Sequence, residues 1–318
     1  MKNNIILLIV FSITVNSFSQ KIETTLLSDS DPQVLYLNDE ESNKLLYYDL
    51  TPDNYDGNIL ILLPGFYSKS IEVFQETKLP NKAYENNIAT LVLTINSRLH
   101  LDSDSFNLIN NMILDFSKRK NIKTKNIIFG GFSAGGSLAL SYTEWMNKKP
   151  NDKIPTPKAV FVIDPPVDFY NFWFIEQRLA ERKCSEGMAG EAKYFMDYFE
   201  EYFGGTPYAF PNEYKNASPY SRLEKNGGNL VFLKNTPVRA YCEPDIDYRL
   251  EKCEDYYDMN AADLSAMINQ LRLLGNDSAE FITTTNKGYR MSGKRNPHSW
   301  SILDDKECIE WIKNILKK

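Results

Sequence analysis

From Asn58 onward the chain alternates short apolar runs with longer stretches in which apolar residues recur every three or four positions. Asn58 to Leu63, Ala89 to Ile95, the run opening at Asn126, Lys158 to Ile163 and Val238 to Tyr241 are apolar nearly throughout. That pattern suits strands buried on both faces of a parallel sheet. Ala279 to Thr283 is the last predicted strand. Between them, about Lys69 to Glu85 reads as helical, and Ser105 to Lys118 carries Phe106, Ile109, Met112, Ile113 and Phe116 at helical spacing. A later helix presents Leu264, Met267, Ile268, Leu271 and Leu274 and is stopped by Gly275. Asp304 to Leu316 reads as a closing amphipathic helix. Such alternation predicts an α/β protein whose mostly parallel central sheet is flanked by helices.

Upstream, Gln33 to Leu37 and Lys44 to Leu50 read as strands separated by the polar turn Asn38-Asp39-Glu40-Glu41. The alternation is interrupted at about 167–234, a segment rich in aromatics. Tyr194, Phe195, Tyr198, Phe199, Tyr202 and Phe203 recur there at helical spacing. The segment is expected to be a helical cap insertion over the sheet edge; an ordinary packed helical layer is the other reading.

The first residues follow different rules. Met1-Lys2-Asn3-Asn4 leads into the apolar run Ile5 to Val15, and Ser17-Phe18-Ser19 places small residues where a signal peptidase reads. The expectation is a signal peptide over 1–19, cleaved before Gln20, with residues 20–318 as one domain. The apolar run is shorter than the roughly 20 residues a membrane span needs. No span is expected in the mature chain, and the destination is the periplasm or the outside of the cell.

Composition narrows the function. Of 318 residues, 42% are hydrophobic and 25% charged, enough for a large core. The net charge of -6, without a basic tract, disfavours nucleic acid as a partner. The four cysteines, Cys184, Cys242, Cys253 and Cys308, form either disulfides or buried thiols. Cys242 and Cys253, close in sequence, are one candidate pair.

The run opening at Asn126 ends in Gly131-Phe132-Ser133-Ala134-Gly135, which fits the G-x-S-x-G pattern. There a serine sits at a strained strand-to-helix turn with its oxygen held up for attack. A hydroxyl nucleophile needs a base held by a third group, and histidine takes up a proton near the working pH. The chain has two histidines. His100 lies upstream of the serine, whereas His298 follows the last strand and is the expected base. The expected acid is Asp245, beyond the Val238 strand, with Asp247, Glu243 and Asp164 as rivals. Each of these carboxylates could instead cap a helix. The amides of Phe66 and Ala134 are expected to hold the oxyanion. Two histidines and scattered cysteines make no ligand cluster, so neither metal nor cofactor is expected.

With Ser133, Asp245 and His298 in that order, the chain resembles the α/β-hydrolase superfamily over nearly all of its mature length. Gly204-Gly205-Thr206-Pro207 and Ala217-Ser218-Pro219 are similar to secreted bacterial carboxylesterases of the feruloyl-esterase-like group. Where many of those esterases carry a histidine and glycine run before the oxyanion loop, this chain has Leu63-Pro64-Gly65-Phe66. The resemblance implies an exported serine hydrolase that cleaves small-molecule or glycan-linked esters through an acyl-enzyme. A peptidase or amidase on the same triad is a second expectation, for which Lys287, Arg290, Lys294 and Arg295 could receive a peptide carboxylate, although basic side chains in such a loop more often stay solvated. A non-catalytic binding protein on the same scaffold is a third.

Overall fold

The structure, a computed structural model, describes residues 20–28, 45–95 and 97–317. The expected signal peptide and the strand expected over Gln33 to Leu37, with its turn, lie outside the described residues.

Eight described strands form one sheet. They are β1 (Glu23–Ser28), β2 (Leu45–Leu50), β3 (Asn58–Leu63), β4 (Ala89–Leu93), β5 (Asn126–Phe132), β6 (Ala159–Ile163), β7 (Val238–Cys242) and β8 (Ala279–Thr283). Their spatial order is β1-β2-β4-β3-β5-β6-β7-β8. The pairings β1 with β2 and β2 with β4 are antiparallel, and every other neighbouring pair is parallel. The sequence gives no sign of β1. It lies at the sheet edge with Leu26 half exposed, so it lacks the continuous apolar run of the inner strands.

Alternate residues of β3 point to opposite faces. Ile59, Ile61 and Leu63 pack with Ile109 and Met112 of α3 (Ser103–Lys120) and Leu138 of α4 (Ala134–Lys148). Leu60 and Leu62 pack on the other face with Leu79 and with Ile309 and Ile312. The helix expected over about Lys69 to Glu85 is broken. A 3-10 turn, Ser70–Glu72, runs into α1 (Val73–Glu76), and α2 (Leu79–Glu85) begins afresh. Pro80 sits in the first turn of α2, where its missing N–H leaves no bond unmade.

Between β6 and β7 the aromatic segment folds as α5 (Phe169–Arg182), α6 (Glu186–Phe203), α7 (Pro211–Ala217) and a 3-10 stretch, Lys225–Leu233. α5 and α6 lie against each other and bury Phe169, Trp173, Tyr198 and Phe199 in one cluster with Leu99 and Ala134. The helical layer therefore rests on the serine corner. After β7 come α8 (Ile246–Leu250) and α9 (Asn260–Leu273), and α10 (Asp305–Leu316) closes the chain.

The disulfide joins Cys184, in the turn between α5 and α6, to Cys253, just past α8, with their Cα atoms 5.9 Å apart. This corrects the pairing of Cys242 with Cys253. Cys242 ends β7 as a fully buried thiol in the sheet core, and Cys308 is likewise a buried thiol.

Candidate active site

β5 stops at Phe132 and α4 starts at Ala134, so Ser133 alone makes the corner, with φ 53° and ψ -129°. A side chain is strained in that region, and such outliers persist only where the surroundings hold them. Ser133 N–H donates to the Ile163 carbonyl (2.9 Å), and Gly136 N–H donates to the Ser133 carbonyl (2.8 Å). A β-carbon on Gly131 would collide with the Gly135 carbonyl, and one on Gly135 with the backbone of Leu63 and Pro64. Helix and strands therefore approach this closely only with glycine at both positions.

The neighbouring parallel strand supplies the carboxylate. β6 ends at Ile163, and Asp164 follows with φ 48°, its N–H donating to the Tyr241 carbonyl (2.8 Å). His298 Nδ1 lies 2.7 Å from Asp164 Oδ2. An ionised carboxylate only accepts, so Nδ1 carries the proton and Nε2 is left as the basic nitrogen. The Asp164 side chain is almost wholly buried, whereas about a quarter of His298 is exposed. The imidazole lies against the Phe132 ring (centroids 4.6 Å apart), and His298 N–H donates to Asn296 Oδ1 (2.9 Å).

This geometry changes the expected partner of His298. Asp245 does not reach the histidine: its Oδ1 caps α8 at the Tyr248 amide (3.0 Å), and its Oδ2 pairs with Arg295 (2.5 Å). Glu243 is buried and accepts from the amides of Lys287 (2.9 Å) and Gly288 (3.2 Å), from Thr284 Oγ1 (2.9 Å) and from Arg295. Burial alone would raise its pKa, but these donors hold it below the usual value. Glu243 thus braces the loop that leads to His298. Asp247 is exposed on α8. Glu243 and Asp245, after β7, hold the histidine loop, and Asp164, after β6, touches the histidine.

Ser133 and His298 line one cavity of about 450 Å³, together with Gly65, Phe66, Ala134 and residues of α5 and α6. Phe66 follows β3, and its ring packs against Phe195 (5.8 Å) and Tyr198 (6.2 Å) of α6. Ala134, as the first residue of α4, has an amide with no acceptor inside the helix. Of the four basic residues in the loop before His298, Arg290 lines the cavity, over the Phe132 ring at 5.4 Å. Arg295 is engaged with Glu243 and Asp245, Lys287 reaches Asp304 (3.4 Å), and Lys294 is exposed. His100 lies outside the cavity lining, buried against the Tyr198 hydroxyl (3.1 Å), and burial depresses its pKa to about 4.

The cavity wall also holds polar residues that the sequence did not single out: Glu176, Arg249, Glu254 and Asp258. Glu176 had a readable sign. It falls on the α5 stripe of Phe169, Phe172 and Trp173, where helical spacing calls for an apolar residue.

No protein-family model matches the sequence, and no curated protein is similar to it. Solved structures are. Carboxyl esterase 2 from the mycorrhizal fungus Tuber melanosporum superposes with a TM-score of 0.55 at 16% identity, covering 95% of this chain and 89% of that one. An esterase from Pyrococcus furiosus gives 0.54 at 13% identity, with 97% and 94% covered. The chain has the α/β-hydrolase fold. The acylaminoacyl peptidase of Pyrococcus horikoshii shares it, with a TM-score of 0.51 and 13% identity; 94% of this chain aligns with 41% of that one. Within the α/β-hydrolase fold, the ends of β5, β6 and β8 lie on the sheet edge where such sheets place their ligands.

Proposed function

We propose that the protein is a serine hydrolase that cleaves carboxylic esters through an acyl-enzyme. The observation that carries this reading is a strained Ser133 in one cavity with a histidine whose Nδ1 is held by Asp164. In the proposed reaction, Ser133 Oγ attacks the ester carbonyl carbon while His298 Nε2 takes the hydroxyl proton. The amides of Phe66 and Ala134 hold the resulting oxyanion, a contribution of roughly 3 kcal/mol for a good donor. The carbonyl re-forms, and the alkoxide leaves with the proton from His298. Water, deprotonated by His298 in turn, then releases the acid. Asp164 keeps Nδ1 protonated and steadies the imidazolium, the part first expected of Asp245.

The esterases among the structural neighbours favour ester over amide chemistry. Peptide hydrolysis is the second reading, favoured by Arg290 at the cavity wall and by the peptidase neighbour. Export is part of the proposal. It is supported by the leader-like N-terminus and by the Cys184–Cys253 disulfide, since such bonds persist in oxidising compartments. On this reading α5 and α6 act as a cap that limits substrate access.

The test is a panel of short-chain aryl esters, acetylated sugars and feruloylated sugars beside amides of matched structure. Esters should be turned over faster than their amides. Amides cleaved as well as esters would shift the assignment to a peptidase, and no turnover of either would reject it.

A further inference from the structure

The cavity carries a carboxyl group that the proposed chemistry does not use. Glu176, on α5, is 7% exposed and lines the cavity that holds Ser133 and His298. It makes no hydrogen bond or ion pair with any described residue. Its acidic neighbours differ in this respect. Glu254 is bound to Arg249 (2.6 Å), Asp258 to Arg178 (2.9 Å) and Arg182 (2.5 Å), and Glu191 on α6 is exposed to solvent. The lining holds these four carboxylates against two guanidiniums, Arg249 and Arg290.

A buried carboxyl without a partner is costly, and it is retained where something else satisfies it. Burial, reinforced by Glu191, Glu254 and Asp258, pushes Glu176 up to about 8, so near neutral pH it holds a proton while the cavity is empty. A cation entering the cavity would meet, at Glu176, a carboxyl group able to ionise against it. The same lining also holds the apolar side chains of Phe172, Ile175, Leu179 and Met188, which suit the methylenes leading to a charged end.

We propose that Glu176 anchors a cation subsite within the Ser133 cavity, and that the protein's substrates carry a primary ammonium group on an aliphatic chain. This deepens the proposed reading, on which the ester occupies that cavity. On binding, the ammonium donates to the Glu176 carboxylate, and the carboxyl proton leaves to solvent.

The first test does not depend on catalysis. Binding of hexylamine and of hexanol is measured by calorimetry on Ser133→Ala protein. The amine should bind at least about tenfold more tightly, the usual worth of a hydrogen bond to a charged group, and adding Glu176→Gln should remove that preference. Equal binding of the two, or a preference that survives Glu176→Gln, overturns the subsite. Should Glu176→Gln not fold, Glu191→Gln at an exposed position should lower the preference in the same direction, and an unchanged preference there overturns the proposal. In wild-type protein, the ratio of kcat/KM for an aminohexanoyl over a hexanoyl aryl ester should exceed one and fall about tenfold or more in Glu176→Gln. Absence of turnover with both esters counts against the hydrolase reading, while the amine titration still decides the subsite.

Discussion

His298 Nδ1 sits 2.7 Å from Asp164 Oδ2, so the histidine after β8 is held by the carboxylate after β6. The loop after β7, which supplies Glu243 and Asp245, holds the histidine loop through Arg295 and the amides of Lys287 and Gly288. The two sets of contacts divide the work between touching the imidazole and carrying its backbone.

That division is tested by paired substitutions. Asp164→Asn can no longer fix the tautomer or balance the imidazolium and should lower kcat on a short-chain aryl ester by roughly a thousandfold or more. Asp245→Ala should act mainly on stability, by about 1 kcal/mol through loss of the α8 cap, and lower kcat far less. Steady-state kinetics with urea unfolding of both variants separates the two roles.

Phe66 joins the proposed oxyanion loop to α6. Its ring packs on Phe195, so Phe195→Ala should let the Phe66 amide drift. A displacement of about 1 Å at a reacting centre costs on the order of a hundredfold. The expected signature is a lower kcat with a smaller change in KM. A change confined to KM would place Phe195 in substrate binding alone.

The disulfide joins residues 69 apart in sequence, and the loop it closes holds α6, α7, β7 and α8. Closing a loop of that size stabilises by about 4 kcal/mol in the chain-entropy treatment. Cys184→Ser should therefore lower the urea midpoint markedly, whereas Cys242→Ser should not mimic the loss of a crosslink. Non-reducing peptide mapping should recover Cys184 joined to Cys253.

Glu176 gives stability a pH dependence of definite sign. Its carboxyl is raised from 4.5 to about 8 by burial and by Glu191, Glu254 and Asp258. Between those values the folded protein holds a proton that the unfolded chain has released. Its contribution is thus fully present below about 4.5 and lost as pH rises through about 8. Glu176→Gln should flatten the fall in unfolding midpoint across that window, and equal slopes in the two proteins would show that Glu176 does not titrate there.

Much of this was legible in the sequence, for physical reasons. Strands β3 to β7 announce themselves because inner parallel strands are apolar on both faces, and β1 does not because an edge strand need not be. Ser133 is readable because close helix–strand approach demands Gly131 and Gly135. The scarcity of histidine pointed to His298. The acid was harder: Asp164 and Asp245 both follow strands ending on the same sheet edge. What separates them is the pairing of Asp245 with Arg295, fifty residues away in sequence. The disulfide was misread for a related reason, since nearness in sequence did not place Cys242 near Cys253. Glu176 was visible as a break in the apolar stripe of α5, but its lack of a partner is a property of the assembled cavity.

The central claim is that Ser133 is the nucleophile and His298 its base. Wild-type protein and Ser133→Ala should be treated with a fluorophosphonate probe, and the adduct mapped by peptide mass spectrometry. A single adduct on Ser133, absent from Ser133→Ala and strongly slowed in Asp164→Asn, is the expected result. An adduct that persists in well-folded Ser133→Ala, or a folded wild-type protein that takes no label, would contradict it.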